Sequence, residues 1–261
     1  MDDTAQTRAG QVEYISLVDA MQGQWIKLPH AVMRACGPAA QTLGGLLKIS
    51  KTETFCKTEK IARRARLPLS TVRKHLKALE GDGWIKNKGR EKKCRGYALR
   101  TATIALTAKA RDNLSPYGVL PWWACGYVID QQRKLSWGGK AVLSLVMSRL
   151  MSLIAAIEKN DSQGLDLDDI VGSIEKLGGN ERFRMGLRWI ERQTGLTRET
   201  IGHAKRELWH AHLICLQHDT DEFFDFHRTD ILAPNWDAQI VVTPTRGDLV
   251  KLHVEEVSED D

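Results

Sequence analysis

The chain has 261 residues, 42% of them hydrophobic, and a formal net charge of +5. This length and apolar content predict a globular protein with one large domain or two domains of ordinary size. The five scattered cysteines form no Cys-x-x-Cys pair and the N-terminus is polar and acidic, so we expect a reducing, cytoplasmic location without a secretion signal or a membrane partner.

The first domain is predicted over residues 24–107, after a polar leader at 1–23. Within it, 25–29 is expected to be a short extended segment, and 31–35 and 39–49 are expected to be helices. The pair Gly44 and Gly45 marks either a close helix contact or a weak point of the second helix. The segment with the most informative pattern follows these elements, from residue 58 onward.

The residues after this point predict a helix, a tight turn, a second helix, a strand, a basic loop and a strand. Their ranges are 58–65, 66–68, 69–80, 84–86, 87–96 and 97–106. The glycines at 81 and 83 are typical of a helix C-terminus. This order of elements is that of a winged helix-turn-helix, so we expect an α+β, mainly α, fold.

A linker is predicted at 108–121, where turn residues cluster and periodic apolar patterning stops. The second domain would occupy 122–245, with helices at 140–158 and 167–177, followed by an acidic tail at 246–261. The longest apolar run lies inside the first of these helices and is interrupted by serines and an arginine, which favours a core helix over a membrane span.

An internal repeat at an offset of 129 residues predicts that the helix-turn-helix occurs twice. The matching pairs are Ile61 and Ile190, Arg63 and Arg192, Leu67 and Leu196, Thr71 and Thr200, Val72 and Ile201, Leu79 and Leu208, and Ile85 and Ile214. They include the turn and the apolar face of the second helix. We therefore expect two tandem winged helix-turn-helix domains.

Positive charge is concentrated in one segment. Residues 57–95 contain fourteen Lys or Arg and four acidic residues, a net charge of +10 that leaves −5 for the rest of the chain. A basic cluster on a short helical pattern is typical of a surface that binds phosphate.

A helical projection of 69–80 places Val72, Leu76 and Leu79 on one buried stripe. The opposite face and its flanks are cationic or hydroxylic, as a helix inserted in the major groove requires. The predicted DNA-binding residues of this helix are Ser70, Thr71, Arg73, Lys74 and Lys77. A solvated charged helix is the alternative, but such a face usually mixes Glu with Lys.

The basic loop is expected to hold DNA phosphates rather than read bases, because its cations are numerous and flexible. The predicted wing residues are Lys86, Lys88, Arg90, Lys92, Lys93 and Arg95.

The second copy carries a weaker charge. Its second helix is expected to begin after an N-cap at Thr197 and to expose Arg198, Glu199, His203 and Arg206, while the loop that follows is acidic. Lys205 stands where the first copy has Leu76, which either shifts the buried stripe toward Ala204 and Leu208 or leaves a snorkelling lysine. Both DNA contact and a role in dimerisation or partner binding stay open for this copy.

Residues 58–65 (TEKIARRA) followed by 67–85 (LPLSTVRKHLKALEGDGWI) resemble the helix-turn-helix of bacterial, plasmid and phage winged-helix proteins, especially the N-terminal domains of replication initiators. The resemblance covers about 80 residues. It implies sequence-specific binding to double-stranded DNA in the replication of a plasmid, phage or other mobile element. A transcriptional regulator and a protein-interaction adaptor are the alternatives, and a homodimer and contacts with replication or transcription machinery stay open.

One departure from the family pattern is Pro68, which stands where these motifs usually have a Ser or Thr N-cap. The first helical turn is therefore expected to be the least secure part of the motif, and with it the contacts of Leu69 and Ser70.

No cofactor, metal or enzymatic activity is expected. His210, His212, Cys215 and His218 are of types that bind zinc, but helix-end and strand geometry points alternate residues apart and no Cys pair completes four ligands. Residues 138–141 lack the glycine and hydroxyl spacing of a phosphate loop. The tryptophans near the start of the second domain are expected to be packing anchors rather than base-stacking platforms.

Overall fold

A computed structural model of the chain describes residues 13–16, 25–50, 53–87, 101–125, 128–129, 133–160, 167–176, 178–218, 229–236 and 239–242. The protein is α+β and mainly helical, with small antiparallel sheets. This confirms the predicted fold class at the level of its secondary structure.

The elements of the first half alternate short strands with helices. In chain order they are β1 (Glu13–Ser16), β2 (Trp25–Pro29), α1 (His30–Cys36), α2 (Ala39–Leu47), β3 (Glu53–Lys57), α3 (Thr58–Ala65), α4 (Leu69–Gly81), β4 (Ile85–Asn87), β5 (Thr101–Leu106), α5 (Ala108–Asp112) and β6 (Tyr117–Pro121).

The second half is built around one long helix. Its elements are α6 (Trp122–Cys125), β7 (Val128–Ile129), β8 (Arg133–Lys134), α7 (Trp137–Asn160), α8 (Leu167–Lys176), a 3-10 helix (Gly179–Phe183), β9 (Arg184–Gly186), α9 (Leu187–Thr194), α10 (Arg198–His210), β10 (Ile214–His218), β11 (Thr229–Pro234) and β12 (Gln239–Val242).

The helix pair α3 and α4 lies where the sequence predicts it, and Pro68 does not displace the first turn of α4. Pro68 takes the N-cap position without a capping side chain, and the amide of Val72 donates to its carbonyl oxygen at 3.0 Å. The helix ends at Gly81, and Gly83, two residues later, has a φ of +72°, which favours glycine. The amide of Trp84 then donates to the Leu79 carbonyl at 2.8 Å.

Shifting the bounds of α3 and α4 by 129 residues gives the bounds of α9 and α10. The backbone agrees at the two tight turns as well. Arg66 and Gly195, which correspond at this offset, both have positive φ, at +49° and +72°, and so do Gly83 and His212, at +72° and +51°. The two helix pairs therefore share both their lengths and the conformation of their turns.

The sheets beside the helix pairs have the same strand order. In the first half the order is β3-β5-β4, and in the second it is β9-β11-β10, with antiparallel neighbours throughout. In each sheet, the two edge strands are the strand before the helix pair and the strand directly after it. The central strand is the last of the three in the chain. The sheet correspondence extends to register, since Lys57 pairs with Thr101 and Gly186 with Thr229.

The segment predicted as a linker, 108–121, contains α5 and β6. Thr107 caps α5, because its Oγ1 accepts from the Ala110 amide at 3.2 Å. β6 pairs with β2, which lies near the other end of the first half in sequence. Val119 and Leu120 of β6 are buried. The segment therefore has regular structure, because a long-range strand partner satisfies a backbone that local turn signals leave open. The domain boundaries themselves stay a prediction.

The helix α7 lies at the centre of one continuous hydrophobic core, packed against β6, α10 and β11. Its segment Trp137–Ile157 is long and apolar enough to cross a membrane, but most of its apolar window is buried inside the protein. This confirms the prediction of a core helix and agrees with a soluble protein.

Polar contacts join α1 of the first half to α9 of the second half. The Nδ1 atom of His30 lies 2.7 Å from Gln193 Oε1, and Arg34 donates to the Arg192 carbonyl at 3.0 Å. Within the second half, the amide of Ser136, the residue before α7, donates to Glu207 of α10 at 2.8 Å. The two halves therefore contact each other directly and share one hydrophobic core.

Candidate nucleic-acid interface

The buried side of α4 fixes which of its side chains face outward. Val72 and Leu79 are fully buried, as the helical projection predicts. Leu76 is half-buried against the core. On the flank, His75 Nδ1 lies 2.8 Å from the Thr42 hydroxyl of α2. Burial, with a smaller contribution from Lys74, lowers the pKa of His75 below its usual 6.5. The buried apolar residues and the contact between Thr42 and His75 place this side of α4 against the rest of the protein.

The opposite side of α4 is an exposed cationic face. Ser70, Arg73, Lys74 and Lys77 are exposed, and Thr71 is half-buried. Within the described part of the chain, none of the three cations lies at ion-pair distance from a carboxylate. The face therefore has positive charge that no protein group neutralises, and its long side chains extend into solvent.

The strand β4 leads from α4 toward the predicted wing. Lys86 is exposed, and the amide of Asn87 donates to Glu80 of α4 at 3.2 Å, which ties the start of the wing to the helix. The other predicted wing residues, Lys88, Arg90, Lys92, Lys93 and Arg95, lie outside the described residues.

The corresponding helix α10 also exposes its predicted residues, but one of its two arginines is paired with an acid and Glu199 adds a negative charge. Thr197 is the N-cap as predicted, its Oγ1 accepting from the Thr200 amide at 3.3 Å. Arg198 lies 3.1 Å from Glu191, and His203 lies 3.9 Å from Glu199 and 3.2 Å from Arg206. The exposed face of α10 therefore carries less net positive charge than that of α4, although Arg206 contacts no carboxylate among the described residues.

Lys205 is buried, and its ammonium group pairs with the carboxylate of Asp230 on β11. The apolar stripe includes Ala204 and Leu208, as one of the two sequence alternatives predicts. The other alternative, a snorkelling lysine, is wrong because a buried partner is present. The sequence pattern contained no signal for this partner, which lies 25 residues further along the chain, on the strand β11.

The tryptophans near the start of the second half, which were expected to be packing anchors, lie against the core. Trp123 is buried, and Trp122 and Trp137 are partly buried against the core. The guanidinium of Arg66, at the tight turn after α3, lies 4.1 Å from the centre of the Trp122 ring. Among the described residues, no three His, Cys, Asp or Glu side chains come together as a metal site.

Three further cations are not among the predicted DNA-binding residues. Arg64 of α3 is exposed, and its positive charge and that of Lys27 on β2 both act on Lys48 at the end of α2. These three residues are far apart in the sequence, so no local pattern brings them together.

Comparisons of the chain with protein-family models, with curated proteins and with solved structures give no match.

Proposed function

We propose that the protein binds double-stranded DNA sequence-specifically, with α4 in the major groove. The observation that carries this proposal is the exposed face of α4, where Arg73, Lys74 and Lys77 have no carboxylate partner among the described residues. A protein surface that retains unpaired cations next to hydroxyl groups is suited to phosphates and to the acceptor-rich edge of guanine.

We also propose that each half of the chain is a winged helix-turn-helix domain. The common offset of the helix pairs and the common strand order of the two sheets support this assignment. In the first copy, α4 would read bases while the basic loop after Lys86 holds phosphates. In the second copy, the pairing of Arg198 with Glu191 and the exposed acid Glu199 favour a weaker contribution to DNA binding or a role in contacting protein.

The biological use that the sequence resemblance favours is initiation or control of replication in a plasmid, phage or other mobile element. Two helix-turn-helix units in one rigid chain suit an origin with repeated sites. A map of bound sites separates this use from transcriptional regulation, since initiation predicts repeated sites beside an origin and regulation predicts dispersed promoter sites.

The test of DNA binding uses the double variant Arg73→Ala/Lys74→Ala, because both side chains are exposed on α4 and neither contributes to the core. Each good base contact is worth about 1–3 kcal/mol, so the variant should lose roughly 5-fold to 150-fold or more of the preference for a selected duplex over a random one. Fluorescence anisotropy titrations at several salt concentrations measure both affinities.

Two further variants serve as comparisons. Lys92→Ala/Lys93→Ala should weaken binding to both duplexes equally and flatten the salt dependence, since phosphate contacts do not depend on sequence. Arg198→Ala/Arg206→Ala removes the same charge from α10 and should leave the preference largely intact. Equal wild-type affinity for selected and random duplexes would refute sequence-specific binding, and a lack of any salt-dependent binding would favour the adaptor.

A further inference from the structure

Three cations from separate elements form a second cationic cluster beside the helix pair, in which Lys48 and Arg64 are exposed and Lys27 is half-buried. Lys27 lies on β2, Lys48 follows α2 directly, and Arg64 is in the last turn of α3. The glycines of α2 permit this arrangement. A Cβ on Gly44 would lie 2.5 Å from the Lys27 carbonyl oxygen, and one on Gly45 would lie 2.7 Å from the Ala65 Cβ. The close packing predicted for this glycine pair therefore brings the three elements together.

Aromatic rings hold the two lysines of this cluster. The Lys48 ammonium lies 4.8 Å from the centre of the Trp25 ring, and the Lys27 ammonium lies 5.8 Å from the same ring and 4.1 Å from the centre of the Tyr117 ring. Such cation–π contacts restrict a long side chain without neutralising its charge. The ammonium groups are therefore positioned in advance for an anion.

The charges of the cluster repel one another. The pKa of Lys48 is lowered by burial first and then by the positive charges of Arg64 and Lys27. Among the described side chains, none of the three cations forms an ion pair with a carboxylate. Like charges that are held together without a counter-ion gain free energy when an anion binds between them.

The anion is better matched by a phosphate than by a nucleobase. Trp25 is half-buried, and two ammonium groups lie over its ring, so the ring is not open for a base to stack on. Arg64 and the lysines offer only donors, and phosphate oxygens are acceptors that Lys and Arg bind without regard to sequence.

The cluster also lies close to the proposed reading helix. Ser70 is the sixth residue after Arg64. Their Cα atoms are therefore at most about 21 Å apart, even if the chain between them were extended. One turn of a DNA duplex is about 34 Å long. Phosphates of one duplex are therefore within reach of both surfaces.

We propose that Lys27, Lys48 and Arg64 form a phosphate-binding surface that holds the backbone of the same duplex that α4 reads. This inference rests on the proposed function and extends it, because it assigns part of the DNA affinity to a surface outside the helix-turn-helix face and the wing. The surface adds affinity and salt dependence but no base preference.

The test is the triple variant Lys27→Gln/Lys48→Gln/Arg64→Gln of the full chain, titrated with selected and random duplexes by fluorescence anisotropy between 50 and 200 mM salt. Each phosphate contact contributes about 0.9 to the slope of log affinity against log salt concentration. The variant should therefore have a slope shallower by about 2.7, which corresponds to roughly a 40-fold smaller loss of affinity across this range. The ratio of selected to random binding should not change.

Two controls separate the outcomes. Lys134→Gln/Lys176→Gln/Arg188→Gln removes the same charge from exposed positions in the second half and should leave the slope nearly unchanged. Lys27→Arg/Lys48→Arg/Arg64→Lys keeps the charge and should keep the wild-type slope. If wild type shows a salt-dependent affinity for DNA but the first variant matches the control, the phosphate surface is refuted and the proposed function stands. If wild type does not bind DNA, the proposed function itself fails.

Discussion

The buried ion pair between Lys205 and Asp230 gives a sharp test of the correspondence between the two halves. The side chains are only 7% and 6% exposed. At the corresponding positions the first half has Leu76 and Ala102, since Met185 pairs with Asp230 in one sheet and Cys56 with Ala102 in the other. The second half thus has two charged residues at positions where the first half has two apolar residue types.

Asp230→Ala should destabilise the protein by about 3–5 kcal/mol, because it leaves a buried ammonium group without its partner. For a chain of this size, that change corresponds to a fall in melting temperature of roughly 6–20 °C. The double variant Lys205→Leu/Asp230→Ala restores the residue types of the first half. It should lie within about 1 kcal/mol of wild type, because well-packed apolar residues can replace a buried ion pair at little cost.

Chemical denaturation of wild type, both single variants and the double variant gives the coupling free energy, which should be at least about 2 kcal/mol. Additive effects of the two substitutions, or a loss below about 1 kcal/mol for Asp230→Ala, would refute the buried pair and the correspondence built on it.

Two further predictions concern the packing between the halves. Gly195→Ala should destabilise the protein by more than about 1 kcal/mol, since its φ is +72° and a Cβ would lie 2.9 Å from the Arg34 backbone. Gly202→Ala, in an open helical position, should stabilise it by about 0.5–1 kcal/mol, and equal effects of the two in denaturation curves would contradict the packing. The free energy of unfolding should also fall as pH drops below about 6.5. Burial outweighs the Gln193 hydrogen bond and lowers the pKa of His30, so the unfolded chain binds the proton first. His30→Gln should reduce this pH-dependent loss between pH 7.5 and 5.5, and an unchanged loss would count against a buried neutral His30.

Local patterns were sufficient for the helix pair and its outward face. The apolar spacing of Val72 and Leu79 determined which side of α4 is buried, and the turn residues around Arg66 and Gly83 marked its ends. Exposure of Arg73, Lys74 and Lys77 followed from the same period of 3.6 residues. These features depend on neighbours within one or two helical turns.

Long-range contacts could not be predicted in this way. The strand β6 was expected to be part of a linker, because its partner β2 lies about ninety residues earlier and only that pairing makes it a strand. Asp230 as the partner of Lys205, and the cluster of Lys27, Lys48 and Arg64, depend on strand register and helix packing between distant segments. No spacing rule in a single sequence specifies such contacts.

The most direct test of the central claim is selection of bound duplexes from a random pool by wild type and by Arg73→Ala/Lys74→Ala, sequenced at equal bound fraction. Wild type should enrich one motif strongly, whereas the variant should still bind DNA but enrich that motif weakly or not at all. Enrichment of the same motif to the same degree by both proteins, or of no motif by wild type, would contradict the claim that α4 reads DNA sequence.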